Sequence, residues 1–193
     1  MFLYIESEVK KMKRKFSIVV VLILICAFFI GSVPVSAATS QDTLAIFISG
    51  QPDNVKNYLA RTGVTYEVMD TLVGAPTEPG RYTLGYTNTY VINGAVTGCK
   101  IYLMRGYEDR VIHEIGHVVS HYNGVPFYWA KTPEFMQIWA EERYNSTMHD
   151  QGYDDPVEYF ACAYYTYFTC RKYLKSSCPK TYTYIQNVIA NTI

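Results

Sequence analysis

His113, Glu114 and His117 stand together in "RVIHEIGHVVSHYNG", residues 110–124. Residues four apart on a helix lie one above the other on one face, so both imidazoles can reach a single metal ion. Glu114 is turned by about 100° around the axis from His113, where it can address a water on such an ion rather than the ion itself. His-Glu-x-x-His on a helix is a zinc-hydrolase signature for this mechanical reason. Zinc in such sites takes three protein ligands and keeps one position for water, whose pKa falls to about 7. Val111, Ile112, Ile115, Val118 and Val119 make the rest of the stretch apolar, so the helix is expected to be buried. Two histidines and a glutamate buried there without a partner would be costly. Gly116 leaves room for another element to approach closely.

The third ligand has to come from elsewhere. On an unbroken helix His121 lies about 12 Å along the axis from His113, and zinc–nitrogen bonds are only about 2 Å. The longer pattern with a third histidine further along also fails, since Ser120 replaces its glycine and Asn123 its histidine. His121 is therefore read as a polar residue at the helix end or a support for the site. Two sets of carboxylates remain. Glu141 and Glu142 in "WAEERYN" sit beside Arg143 and read as a solvated face. Glu158 sits among Tyr159, Phe160, Ala161, Ala163, Tyr164 and Tyr165, where a lone carboxylate calls for a cation. Spacing favours Glu158 and leaves the other two open.

These residues need elements to hold them. "TLAIFIS" (43–49) reads as a buried strand, "PDNVKNYLAR" (52–61) as a helix and "GVTYEVM" (63–69) as a second strand. Residues 74–98 are rich in Gly, Pro, Thr, Asn and Tyr and read as loops with short strands around "RYTLGY" and "TYVI"; "CKIYLM" (99–104) is a further strand. A helix from about Glu108 to Tyr122 follows, stopped by Asn123-Gly124. "TPEFMQIWAEERYN" (132–145) has Thr132 as N-cap and Pro133 at the first position. "DDPVEYFACAYYTYFTCRKYL" (154–174) and "CPKTYTYIQNVIANTI" (178–193) complete a helical half. The expected class is α+β: a small mixed sheet with an N-terminal helix, then helices. An exposed strand edge near the site, in "YTLGY" or "CKIYLM", is expected to pair with an extended peptide.

The start of the chain has a different character. Lys10, Lys11, Lys13, Arg14 and Lys15 precede an apolar run from Phe16 to about Val33, followed by the small residues of "VPVSAA". This order reads as an export signal, residues 1–37, cut between Ala37 and Ala38, leaving a single domain, 38–193. Taking its five basic and two acidic residues from totals of 17 and 17 leaves 12 against 15. A mildly acidic domain without a basic cluster excludes nucleic acid as a partner, and with the signal removed no membrane contact is expected. Four cysteines then remain: Cys99, Cys162, Cys170 and Cys178. Cys162 and Cys170 on one helix are about 12 Å apart, too far to bridge, while Cys170 with Cys178 across a turn is feasible.

"HEIGH", then "EYFACAYYTYF" some forty residues on, then "LKSSCPKTYTYIQN", resemble the anthrax-lethal-factor-like zinc metallopeptidases. Within them the chain is most similar to the small secreted Pro-Pro endopeptidases, and the "VPVSA" export signal is similar too. The resemblance runs from about Tyr102 to Asn187. It implies a zincin-like fold and one zinc ion on His113, His117 and Glu158, with Glu114 as general base. It also implies a tyrosine before the ligand glutamate that donates to the oxyanion; Gln151 holds the usual offset here, and Tyr153 is the nearest tyrosine. The implied activity is a secreted, monomeric zinc metalloendopeptidase cutting extracellular or cell-surface proteins at proline-rich sites. Cys162 stands where relatives carry a second glutamate, Val157 where Pro-Pro-cutting relatives place an acid, and residues 74–98 contain no tryptophan. These departures motivate the alternative of an inactive zinc-binding adhesin or interaction protein. The intact Glu114 argues against it.

Overall fold

The structure is a computed structural model and describes residues 39–72, 83–145 and 154–192. The expected export signal at 1–37, the stretch 73–82 of the expected loop, Gln151 and Tyr153 lie outside the described residues. Among the described residues, no helix is long and apolar enough to cross a membrane.

The segment expected as the first strand is a helix, α1 (Ser40–Ser49). Thr39 starts it with a capping box: its hydroxyl accepts from the Asp42 N–H at 3.2 Å, and the Asp42 carboxylate accepts from the Thr39 N–H at 3.0 Å. Leu44 is buried with Phe47 and Ile48 packed against the core, while Ile46 is 65% exposed. That is a helical stripe, with spacings of three and four, inside an apolar run too short to distinguish from a strand by composition. Helix α2 (Asp53–Arg61) and strand β1 (Thr65–Met69) fall where the sequence places them.

Strand β2 (Gly85–Ile92) and strand β3 (Ala95–Met104) form one long hairpin where loops with short strands were expected. Asn93 and Gly94 connect them, both with positive φ, at 51° and 79°. This is the chemistry of a tight hairpin turn whose twist matches the strands. The sheet order is β1-β3-β2, with β1 parallel and β2 antiparallel to β3. "CKIYLM" is thus the central strand, paired on both sides, and cannot offer the free edge expected of it; β2 can. Along β3, Cys99, Ile101 and Leu103 are buried. On the other face Tyr102 stacks on Tyr86 at 4.7 Å, and Lys100 pairs with Glu67 at 2.6 Å.

A 3-10 turn (Glu108–Arg110) leads into helix α3 (Val111–Val119), which carries the His-Glu-x-x-His stretch. It ends earlier than expected: the Ser120 hydroxyl turns back to the His117 carbonyl at 2.6 Å, and Asn123 and Gly124 take positive φ. Helix α4 (Pro133–Glu142) has the expected start, with the Thr132 hydroxyl accepting from the Phe135 N–H at 3.2 Å. The expected long third helix is two, α5 (Pro156–Thr169) and α6 (Arg171–Ser177), broken at Cys170. Helix α7 (Pro179–Asn191) follows Cys178. Cys170 and Cys178 are not bridged, because α6 lies between them; Cys170 is exposed, and the Cys178 thiol points to the Glu142 carbonyl at 3.7 Å. Phe135, Phe160, Tyr159 and Tyr184 fill the space between α4, α5 and α7.

Helices α3 and α5 cross at Gly116. A Cβ there would stand 2.9 Å from Ala161 Cα and 3.0 Å from Tyr164 Cβ. The contact is with backbone and with the Cβ of a fully buried tyrosine, so neither can give way. Gly116→Ala is expected to destabilise the protein by about 1–3 kcal/mol, read as a lowered thermal midpoint. An unchanged midpoint would show that the helices can separate without loss.

Candidate metal centre

The crossing at Gly116 sets how the two helices meet, and the first turn of α5 sets what meets there. Asp155 caps α5, its carboxylate accepting from the Val157 N–H at 2.8 Å, and Pro156 occupies the first helical position. Glu158, in that first turn, is thereby held over His113 and His117. His113 Nε2 is 3.3 Å from Glu158 Oε2, and His117 Nε2 is 3.4 Å from Oε1. The two rings stand nearly edge to face, 4.9 Å apart at 82°. Atoms bound to one zinc in a tetrahedral arrangement at about 2.0–2.1 Å sit about 3.3–3.4 Å from one another. One ligand atom from each residue lies within 4.8 Å of the others, so the donor set fits a single zinc with little adjustment. The Glu158 side chain is 32% exposed and the histidines 12% and 10%, which leaves the cluster open on the carboxylate side.

Charge in the cluster is tightly coupled. Burial opposes a proton on His113, but its hydrogen bonds to Cys162 and Glu158 outweigh burial and hold the imidazole well above the ordinary histidine range. Cys162 Sγ is 3.8 Å from His113 Nδ1. Burial and the neighbouring His113 charge push His117 down to about 3. Burial also works against the Glu158 carboxylate, yet the hydrogen bond from His113 and the nearby imidazoles keep it below the usual glutamate range.

Glu114 lies beside this cluster and outside it, 4% exposed. Burial raises its carboxyl above the ordinary range, partly offset by His113 and by a hydrogen bond from Thr87. That bond, from Thr87 Oγ1 to Glu114 Oε2, is 2.7 Å long. Gly85 on the same strand passes so close that a Cβ would stand 3.0 Å from Glu114 Oε1. Further along, Thr89 Oγ1 is 3.2 Å from His121 Nε2. The odd-numbered residues of β2 therefore face α3. Their main chain faces the other way from β3. The Met104 N–H donates to the Leu84 carbonyl at 2.9 Å, so this opposed pair is hydrogen-bonded. Such pairs alternate along an antiparallel ladder, so Gly85, Thr87 and Thr89 turn their N–H and C=O groups to the outer edge of β2. Among the described residues no strand covers that edge.

His121 lies outside the cluster of His113, His117 and Glu158 and braces the loop that follows α3. Its Nδ1 accepts the Phe127 N–H at 2.8 Å, which leaves Nε2–H to donate to Thr89. Phe127, at φ 53°, is thereby held with its ring against His121 and His117. Burial pushes His121 down from 6.5 to about 4. Between those values the unfolded chain carries a proton here and the folded chain does not. The stability from the neutral ring is thus complete above about pH 6.5 and is lost as pH falls towards about 4. In the metal-free protein, His121→Asn, which keeps an acceptor but does not titrate, is expected to flatten this fall by up to about 1.4 kcal/mol per pH unit. Thermal midpoints from pH 4 to 7 check it; identical slopes would assign the acid sensitivity elsewhere.

The rival carboxylates have other work. Glu141 pairs with Lys180. Glu142, expected on a solvated face, is buried and caps α7, accepting from the Lys180 N–H at 3.1 Å and from the Thr181 N–H at 2.9 Å. Thr87 and Gly85 are the contributors that sequence reasoning missed. The Asn93-Gly94 turn could have revealed their strand, but nothing local links either residue to Glu114.

The sequence matches the family described as "Anthrax toxin lethal factor, N- and C-terminal domain" over residues 83–188, from just before β2 to within α7. No curated protein sequence matches the chain. Among solved structures, the Pro-Pro endopeptidase PPEP-2 from Paenibacillus alvei is similar in fold, with a TM-score of 0.57 at 20% identity. The similarity covers 77% of this chain and 90% of that one. The matched stretch holds the hairpin, the helix with both histidines and the helix with Glu158, over half the chain, and on that ground the protein belongs to the anthrax toxin lethal factor N- and C-terminal domain family.

Proposed function

We propose that this protein is a secreted zinc metalloendopeptidase that cuts extended segments of extracellular or cell-surface proteins. The observation that carries the reading is the convergence of His113 Nε2 and His117 Nε2 on the two oxygens of Glu158, with Glu114 buried alongside. In this reading those three residues hold one zinc ion. When bound, zinc supplies Lewis acidity towards a carbonyl oxygen and lowers the pKa of a water. Glu114 accepts a proton from the attacking water and passes it to the leaving amine, a role suited to a carboxyl that burial raises above its ordinary range. Tyr153, a few residues before Glu158 in sequence, is assigned as the donor to the developing oxyanion, on its position relative to the ligand.

The substrate backbone pairs with the outer edge of β2, where Gly85, Thr87 and Thr89 present main-chain donors and acceptors beside Glu114. Residues 1–37 act as a cleaved export signal, leaving a single domain, 38–193, which acts as a monomer. Proline-rich sequences are the first substrates to try, since the structurally similar enzyme is a Pro-Pro endopeptidase.

The test is zinc-loaded protein, residues 38–193, on a diverse peptide library that includes Pro-Pro sequences, with cuts located by mass spectrometry. Cuts that disappear on chelation and return with zinc are expected. A zinc-bound protein that cuts nothing would contradict the reading and favour a binding protein.

A further inference from the structure

We infer that Thr87 is a positioning residue that holds the Glu114 carboxylate in register with a peptide docked on β2. The inference rests on the peptidase reading above. Thr87 does two things from one position. Its main chain faces the outer edge of the sheet, by the alternation that starts at the Leu84–Met104 pair. Its side chain points to α3, where Oγ1 donates to Glu114 Oε2 at 2.7 Å. The hydroxyl also lies 3.4 Å from the Glu114 carbonyl, but its single proton goes to the much shorter contact with Oε2.

This grip is asymmetric. Oε2 is committed to Thr87, while Oε1 lies close against Gly85, where an added Cβ would press on it at 3.0 Å. Among the described residues, none donates a hydrogen bond to Oε1, so that oxygen is available to take a proton. A carboxylate buried on a helix can otherwise rotate about its last torsion, which is broad and two-fold. Fixing one oxygen selects the plane of the group and the direction of the other. A base must stand within hydrogen-bond reach of the proton it takes, and small misplacements cost large factors in rate. The residue that a docked peptide would touch through its backbone is also the one that sets that direction.

The bland reading is that Thr87 is a β-branched residue suited to a strand. The two are separable, because valine keeps the shape and loses the hydroxyl, while serine keeps the hydroxyl and loses the methyl. Steady-state kinetics would use zinc-loaded protein and the fastest-cut peptide from the library. Thr87→Val is expected to lower kcat about 10- to 100-fold, the value of one hydrogen bond to a charged group. KM should stay within about twofold, because the main-chain contacts remain. Thr87→Ser should recover kcat to within about threefold of the unaltered protein. Zinc content, measured on all three, should match, while Thr87→Val should lower the thermal midpoint and Thr87→Ser should keep it, because only valine leaves the buried carboxylate without its donor. Unchanged kcat in Thr87→Val, an equal loss in Thr87→Ser, or a loss explained by lower zinc content would each overturn the inference while leaving the peptidase reading standing. If the unaltered protein cuts no peptide, the peptidase reading falls and this inference falls with it.

Discussion

Glu114→Gln is expected to reduce turnover by about 100- to 10,000-fold, the range that a positioned general base supplies. It should leave zinc affinity almost unchanged, since the cluster that could hold a metal comprises His113, His117 and Glu158 and not Glu114. Glutamine matches the shape of the buried side chain and can still accept from Thr87, so folding should survive as well. What it cannot do is take a proton. The check is a kcat measurement on a cut peptide, paired with metal analysis of the same sample. Full activity with glutamine at 114 would remove the residue from the mechanism. Lost activity together with lost metal would make it part of the metal site.

Replacing Glu158 should have the opposite signature. Glu158→Ala removes the group on which both histidines converge, at 3.3 and 3.4 Å. Loss of a partner behind a ligand typically costs 10- to 100-fold in metal affinity, so loss of the ligand itself is expected to cost more than about 100-fold. Competition titration against a zinc-binding dye would measure it. Glu142→Ala is the informative companion. Its carboxylate caps α7 through the Lys180 and Thr181 N–H groups, so this change should lower thermal stability without releasing zinc. Release of zinc by Glu142→Ala and not by Glu158→Ala would invert the assignment.

The parts of this site that the sequence reveals are those with local causes. His113 and His117 are legible because four residues make about one helical turn, a relation that no packing can alter. Glu158 is legible because a carboxylate among tyrosines and alanines needs a partner, although the sequence alone leaves Glu141 and Glu142 in contention. In the fold, one of them is tied to Lys180 and the other is buried at the start of α7. Helix α1 reads as a strand because its apolar residues are continuous; its helical signal is the Thr39–Asp42 capping box, just before the run. The break at Cys170 carries no proline or glycine to announce it. Thr87 and Gly85 are invisible to sequence reasoning for a different reason. Their contacts with Glu114 join positions far apart in the chain, and they exist only because β2 lies across α3.

The measurement that tests the proposed zinc centre most directly is an anomalous-difference map, at the zinc absorption edge, from crystals of zinc-loaded protein. The expected result is one strong peak within bonding distance of His113 Nε2, His117 Nε2 and a Glu158 oxygen, with Glu114 close by but unbonded. A peak at His121 or Glu142, or no peak in a protein that still cuts peptides, would contradict the account.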